Sequence, residues 1–516
     1  MRGDSAFPAE AAQERGWWES PLFLGLVVAA TMIPLLYPAI PPLVDLFGHM
    51  GRYRVALDLA NSPWLQQYYD YHWAAIGNLG VDLLVMLLAP IFGLEPAVKL
   101  IVLAIPPLTA AGMIWIAREV HGRVPPTIFF ALPFIYGFPF LFGFVNFALS
   151  VALAFLAFGL WLRLGRLERT TLRSWLFAPI ALIVFFCHTY GWGLLGLLCF
   201  SADAVRLHDR GRSWFRAGWE AALHTSVMAL PLLVMIAWRS EAHGGATLGW
   251  FEWKLKWTWI HSALRDRWQW FDWASLGLCA LLFLYAIFSR KLALSRNLAF
   301  SAIVLGACYL ILPRIIFGSA YADMRLVPYW LAVALLAIRF RPVEIGKTGT
   351  LLAVAGLAFF AVRTVANTVS LGMAADDQRA KLEAIDVMPR GARVITLTGM
   401  PCRSSWPLLR NSHIGAMVIV RREGFSNDQW VIEGLNLLDL KYDRAGYFSA
   451  DPSQLVRPNR CRDPLHRTID ESLMQLPRED FDYLWLVDVP PHSASALAGM
   501  KPVWRGSRSV LYQLRP

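Results

Sequence analysis

The sequence predicts an α-helical polytopic membrane protein with a C-terminal soluble α/β domain, on three observations. Of its 516 residues, 56% are hydrophobic and only 16% charged, against about 25% charged in soluble domains. The apolar residues gather in runs near the length of about 20 that a bilayer-crossing helix needs, and these runs stop near Leu371. Beyond that point the composition is mixed: residues 371–516 carry 19 Lys+Arg against 17 Asp+Glu, so nine of the eleven excess positive charges lie in residues 1–370. A soluble enzyme, a disordered chain and a disulfide-stapled secreted module are excluded. The expected division is a membrane domain at 1–370 and a soluble domain at 371–516.

Each element follows in order. The first 20 residues are polar and show no cleavable signal peptide, so Pro21–Pro41 reads as an uncleaved first span. Basic clusters at 118–123, 163–173, 206–216, 290–296 and 339–347 occupy short loops, which the positive-inside rule assigns to the cytoplasm. An even number of crossings must then separate each cluster from the next. The runs 126–140 and 147–163, 175–187 and 189–205, 217–237 and 274–289, and 297–313 and 327–340 supply those crossings, and a last span at 350–370 carries the chain out. Residues 79–95 are short, carry Asp82 and are broken by Pro90, so they read as an amphipathic helix on the membrane surface. The second span is then 97–117. This arrangement has about 11 spans with the N-terminus inside. The first outer loop (42–96), the loops 141–146 and 238–273, a turn at 188, the loop 314–326 and the tail lie outside. In a bacterium, outside is the periplasm. Neither ATP nor nucleotide sugars are at hand there, so a substrate must arrive on a lipid.

The residues able to do chemistry gather on that side. Asp45 lies just past the first span, with His49 four residues on and Arg52 behind it. A carboxylate so placed suits proton removal from a hydroxyl; its plainer roles are capping a helix or pairing with His49. Asp70, in the aromatic stretch Tyr68–Trp73, is the second acid; that stretch also fits an interfacial aromatic belt. Asn146, at the lip of a span, suits a substrate hydroxyl or a helix cap. His188, at a membrane edge, is costly to bury and suits a cavity. The loop carrying Arg314, Tyr321, Asp323 and Arg325 is the sharpest signal, because an arginine fork is the natural partner of a phosphate; an Asp323–Arg325 pair is the structural alternative. Loop 238–273 holds eight of the 23 tryptophans, interleaved with Lys254, Lys256, Arg265 and Arg267, a pattern that anchors a helix among anionic headgroups.

Four of the six cysteines lie in apolar runs and read as small hydrophobes. Cys402 and Cys461 lie in the tail and can form a disulfide in an oxidising compartment. Their spacing fits no metal site, and no basic face for a nucleic acid stands out. In the tail, Val394–Leu397, Ala416–Val420, Tyr483–Val489 and Val510–Leu514 read as strands, 377–388 and 468–475 as helices. His466 and His492 read as isolated surface residues.

The layout resembles the GT-C superfamily of integral-membrane glycosyltransferases, which use polyprenyl-phosphate-linked sugars. The likeness rests on an acid just past the first span, surface-lying helices in the first outer loop, many spans, an outer C-terminal domain and the Asp323/Arg325–Pro328 stretch. It implies that Asp45 is the base, and that Arg325, supported by Arg314, holds the donor phosphate. The second outer loop, which in several members carries another acid, here reads Phe142-Gly143-Phe144-Val145-Asn146-Phe147 with none, which weighs against a metal-dependent mechanism. The resemblance implies a lipid bilayer and a polyprenyl-phosphate sugar as partners, a glycan, lipid or protein as acceptor, and no nucleotide cofactor. The function expected is an inverting sugar transfer on the outer face. The alternatives are a flippase for a lipid-linked glycan, which favours internal repeats that this sequence lacks, and a non-catalytic envelope-assembly protein.

Overall fold

The computed structural model describes residues 16–241, 246–341, 346–403, 405–432, 436–462 and 464–515. Six helices among them are long and apolar enough to cross a membrane: Leu94–His121, Val145–Arg166, Thr170–Cys187, Trp214–Ala237, Gln269–Phe288 and Gly346–Val387. Shorter apolar helices are Pro21–Ala30, Gly80–Phe92, Ile128–Phe142 and Arg296–Ile311. The elements used below are α1 (Pro21–Ala30), α2 (Leu46–Asp58), α3 (Gly80–Phe92), α4 (Leu94–His121), α5 (Val145–Arg166), α6 (Thr170–Cys187), α7 (Thr189–Asp209), α8 (Gln269–Phe288), α9 (Arg296–Ile311), α10 (Ala322–Leu336), α11 (Gly346–Leu382) and α12 (Ala416–Arg422).

The outward faces of these helices carry large apolar side chains, among them Leu26, Trp175, Ile183, Phe215, Ile236, Phe288, Ile303 and Leu351. In water such a belt would be an aggregation surface; against lipid tails it is neutral. The expected span at 126–140 is broken: a 3-10 turn at Leu132–Tyr136 separates Ile128–Ala131 from Phe138–Phe142. Pro133 and Pro139, each near the start of a new piece, account for the breaks.

The five basic loops meet at one end of the bundle. Ion pairs join Arg123 to Glu19, Arg166 to Glu119, Arg210 to Glu168 and Arg296 to Asp209. Residues 292–294 pair antiparallel with 338–340 beside them. The tail meets the other end of the 28-residue helix α4, where Arg421 grips Glu95 at 2.8 Å.

Helix α11 runs unbroken through residue 371, the expected domain boundary, to Leu382. Apolar contact with the bundle gives way along it to Gln378 and Lys381, which bind tail residues. The tail's sheet has the order Phe425–Ser426, Arg393–Gly399, Tyr483–Val487, Ser509–Gln513, Lys501–Gly506, with Leu455–Val456 also pairing to Arg393–Gly399. A separate antiparallel pair joins Tyr69–Tyr71 of the first outer loop to Leu438–Leu440, so the two expected domains share an element. Ala416–Val420 is helical, not a strand: it lies inside α12. A five-residue apolar run buried on both faces has no periodicity to distinguish the two, and Asp428 Oδ2 decides it by accepting from the Ala416 N–H at 2.8 Å.

Candidate functional site

Asp45 is set by backbone before its side chain matters. Its N–H donates to Phe142 O at 2.9 Å, and Val44 N–H to Leu141 O at 3.3 Å. This seam needs Gly143: at φ +102° it is in the left-handed region, and a Cβ there would lie 2.7 Å from the Asp45 nitrogen. Asp45 opens α2 without capping it through its side chain, so the carboxylate is left facing a cavity of ≈ 1220 Å³.

That cavity has two halves. Between the helices, Leu194, Leu197, Met235, Ile311 and Leu312 make an apolar wall. Against the tail, Met400, Ser412, His413, Trp430, Asp451 and His466 line it. At the junction stand Asp45, His49, His188, Tyr321 and Arg325.

Arg325, in the first turn of α10, is 7% exposed. Its Nη1 donates to Ser319 Oγ at 2.9 Å, and its guanidinium lies 4.3 Å from the Phe144 ring centre and 5.1 Å from that of Tyr190. Its Nε has no hydrogen-bond partner. Among the described residues no carboxylate is within ion-pair distance of it. A buried cation without a counter-ion is costly unless an anion completes it.

Burial pushes the Asp45 carboxyl well above its ordinary value; Asp451 adds to this and Arg325 opposes it. Burial holds His49 well below its ordinary value, helped by Arg52, His413 and Arg325. The His49 ring lies tilted at 5.1 Å from Trp430, and its Nδ1 has no hydrogen-bond partner among the described residues. His188 Nδ1 accepts from the Tyr190 N–H at 3.1 Å, capping α7, while its ring edges Phe147. Tyr321 packs between Phe142 and Trp259, with the Arg314 guanidinium 5.7 Å from its ring.

Other expected site residues are either held by partners in the cavity wall, as Arg52 and Asn146 are, or placed elsewhere. Asp70 lies on the Tyr69–Tyr71 strand, away from the cavity, facing Lys441 at 3.6 Å; strand pairing with the tail turns it there. Asp323 is buried against Lys256 at 3.5 Å and does not line the cavity. Lys256, expected among headgroups, instead donates to Tyr309 O and Leu312 O at 2.8 and 2.7 Å, tying the tryptophan-rich loop to the end of α9. Arg314 faces Glu252 at 4.0 Å outside the cavity wall. Arg52 is locked to Asp82 at 2.8 Å. Asn146 lines the cavity and its amide is engaged there: it accepts from the Val81 N–H at 2.5 Å and donates to Asn78 O and Asp82 at 2.9 Å each, fastening α3. Trp253, Trp257 and Trp270 are exposed as anchors would be, whereas Trp250 and Trp259 line the cavity; the side chain of Trp238 lies outside the described residues. Cys402 and Cys461 are joined by a disulfide.

The tail supplies what sequence reading missed. His413 Nε2 lies 3.8 Å from Asp45 Oδ1 and 4.0 Å from Asp451 Oδ1. Its ring packs 4.4 Å from Trp430, and its Nδ1 is 3.0 Å from Asp428 O. The one available signal is that 411–420 contains no charged residue and a single His, which marks a histidine entering a buried segment. His466, expected on the surface, lines the same cavity.

A chain of polar contacts holds tail and bundle in register. Arg363 of α11 pairs with Asp272 of α8 at 2.6 Å, and Asp272 accepts from Trp406 Nε1 at 2.7 Å and the Asp266 N–H at 2.9 Å. Asp266 pairs with Arg410 at 2.5 Å, and Arg410 also donates to Pro42 O, three residues before Asp45.

No family model and no curated protein matches this sequence. Among solved structures, ArnT from Cupriavidus metallidurans bound to undecaprenyl phosphate superposes with a TM-score of 0.50 at 11% identity, over 96% of this chain and 97% of that one. The same protein in the apo state gives 0.49 at 12% identity, with the same coverage. The chain that brings Asp45, His413 and Arg325 to one cavity therefore has a GT-C-like fold.

Proposed function

We propose that this protein is a membrane glycosyltransferase that moves a sugar from a polyprenyl-phosphate donor to an acceptor hydroxyl on the periplasmic face of a bacterial inner membrane. The observation that carries the reading is Arg325: a buried guanidinium, without a carboxylate partner among the described residues, at the junction between an apolar cavity and the Asp45 carboxylate. An anion on a long apolar chain satisfies both features at once. The shared fold supports the choice of lipid, since the matched ArnT structure is bound to undecaprenyl phosphate. The Cys402–Cys461 disulfide and the gathering of basic loops at the opposite end support an outward-facing tail.

In this reading the polyprenyl chain lies along the Leu194–Leu312 wall, and Arg325 meets the phosphate. Asp45 removes the acceptor's proton as its oxygen attacks the anomeric carbon. The bond to the phosphate oxygen breaks with its electron pair, and Arg325 stabilises the charge that develops there. A single in-line displacement inverts the anomeric centre. Asp45, His49 and Arg325 form the reacting centre, with His188 and Tyr321 shaping its wall.

The test is release of polyprenyl phosphate by purified protein from labelled polyprenyl-phosphate sugars. Arg325→Ala should weaken binding of polyprenyl phosphate by about 10- to 100-fold, the equivalent of ~1.5–3 kcal/mol for a charged hydrogen bond. Arg325→Lys should restore part of this, lacking the planar fork. Unchanged lipid-phosphate binding in Arg325→Ala, or no release from any donor by the wild type, would overturn the reading.

A further inference from the structure

Around His413 stand Asp45 and His49 from α2, Asp451, the Asp428 carboxyl and, across the cavity, Arg325. Asp428 O can only accept, so the 3.0 Å contact fixes the ring proton on Nδ1. Nε2 is then the basic nitrogen. It points between two carboxylate oxygens, 3.8 Å from Asp45 and 4.0 Å from Asp451. These separations exceed a hydrogen bond, and a side-chain adjustment of about 1 Å closes either, as apo sites commonly require. The Trp430 ring on one side and α12 below hold the imidazole in this orientation. The ring is 5% exposed and no other described cation pairs with either carboxylate.

We infer that the tail contributes a proton relay to the reaction centre: His413 receives through Nε2 the acceptor's proton from Asp45, and Asp451 is the counter-charge that steadies the resulting imidazolium. The inference rests on the glycosyl-transfer reading and assigns the tail's part in it. The acceptor O–H bond breaks, its oxygen bonds the anomeric carbon, and the proton goes to an Asp45 oxygen. The same proton then passes to His413 Nε2, regenerating the Asp45 carboxylate while Nδ1 keeps its own proton on Asp428 O. The imidazolium loses its added proton to water when the product leaves and the cavity opens. No oxidant or further reactant is required. Burial holds the His413 ring below its ordinary value, with Asp451 opposing, and it is the approach of Nε2 to both carboxylate oxygens that places it to take the proton.

His413 acts through Asp45, so it is a positioning and relay residue, and a double-mutant cycle read against pH separates that role from a structural one. His413→Gln should lower kcat by about 10- to 100-fold. Added to Asp45→Asn, it should cost almost nothing more, because residues acting as a unit are non-additive. Asp451→Asn keeps the histidine but removes an anion that favours protonation of both Asp45 and His413. Its acid limb of kcat/KM should therefore move to lower pH by roughly half a unit to one unit. Each variant should bind polyprenyl phosphate within about twofold of the wild type, since Arg325 is untouched. Multiplicative losses in the cycle, or an acid limb unmoved by Asp451→Asn, would make His413 a structural residue and overturn the relay alone. A wild type that releases no polyprenyl phosphate would overturn the transfer reading and the relay with it. If His413→Gln does not fold, His413→Asn takes its place in the cycle, because Asp451 also acts on Asp45 directly.

Discussion

The proposed base is a carboxylate left open: among the described residues no side chain hydrogen-bonds to Asp45. The Asp45 side chain caps no helix, and the nearest basic group that the described structure aims at it is His413 at 3.8 Å. Asp45→Asn should lower turnover by ~10²–10⁴-fold, the range for loss of a general base, with the melting temperature in detergent nearly unchanged. Near-normal turnover in that variant would remove Asp45 from the chemistry. Sequence position pointed to Asp45, His49 and Arg325 because each lies within a turn or so of a membrane edge, where a charged group needs a reason. It could not separate them from Arg52, Asn146 and Asp323, which have the same address but are occupied by Asp82, the Val81 N–H and Lys256. Which charge is paired and which is left open depends on packing between distant segments, and a single sequence carries no record of that.

Among elements, the contact that completes the site is α2 against the tail. Gly48 and Gly51, one turn apart on α2, clear a path for it: a Cβ on Gly48 would lie 2.5 Å from the Trp430 ring and 3.4 Å from His413, and one on Gly51 2.5 Å from Gln429. Gly48→Ala should force Trp430 outward at a cost of about 1–3 kcal/mol, lowering both the melting temperature and kcat. Gly25→Ala, on α1 with nothing within 4 Å of the new Cβ, should leave both unchanged or raise stability slightly. A Gly48→Ala protein indistinguishable from the Gly25→Ala control would mean that α2 and the tail tolerate a wider spacing. Long apolar runs announced the bundle helices, because length and hydropathy suffice for them. The tail's α12 and the hand-over along α11 were less legible, since a short buried run reads alike as strand or helix until its caps are known.

Over the whole molecule, charge is sorted by depth, and one buried acid in the tail records the consequence for stability. Burial raises the Asp428 carboxyl to about 8, against the hydrogen bonds it accepts from Ser426 and Ala416. The unfolded chain would release that proton near pH 3.9. Between these values the folded state holds more protons, so stability should fall as pH rises from about 4 to 8. Asp428→Asn should flatten that slope; melting temperatures in detergent at pH 5 and pH 8 give the comparison. An equally steep fall in the variant would assign the dependence to other groups.

The hydrogen bond from Arg410 to Pro42 spans 368 positions of sequence, and its timing during synthesis follows. At 5–20 residues per second, the segment bearing the base emerges roughly twenty seconds to over a minute before the segment that completes its cavity. The bundle helices from Gly80 to Leu382 are made within that interval, so the tail wall of the cavity is the last to be added. Ribosome-bound intermediates stopped short of Arg410 would carry the apolar wall and Asp45 without His413. In the proposed reaction the site is therefore complete only after the tail has been translated and has docked.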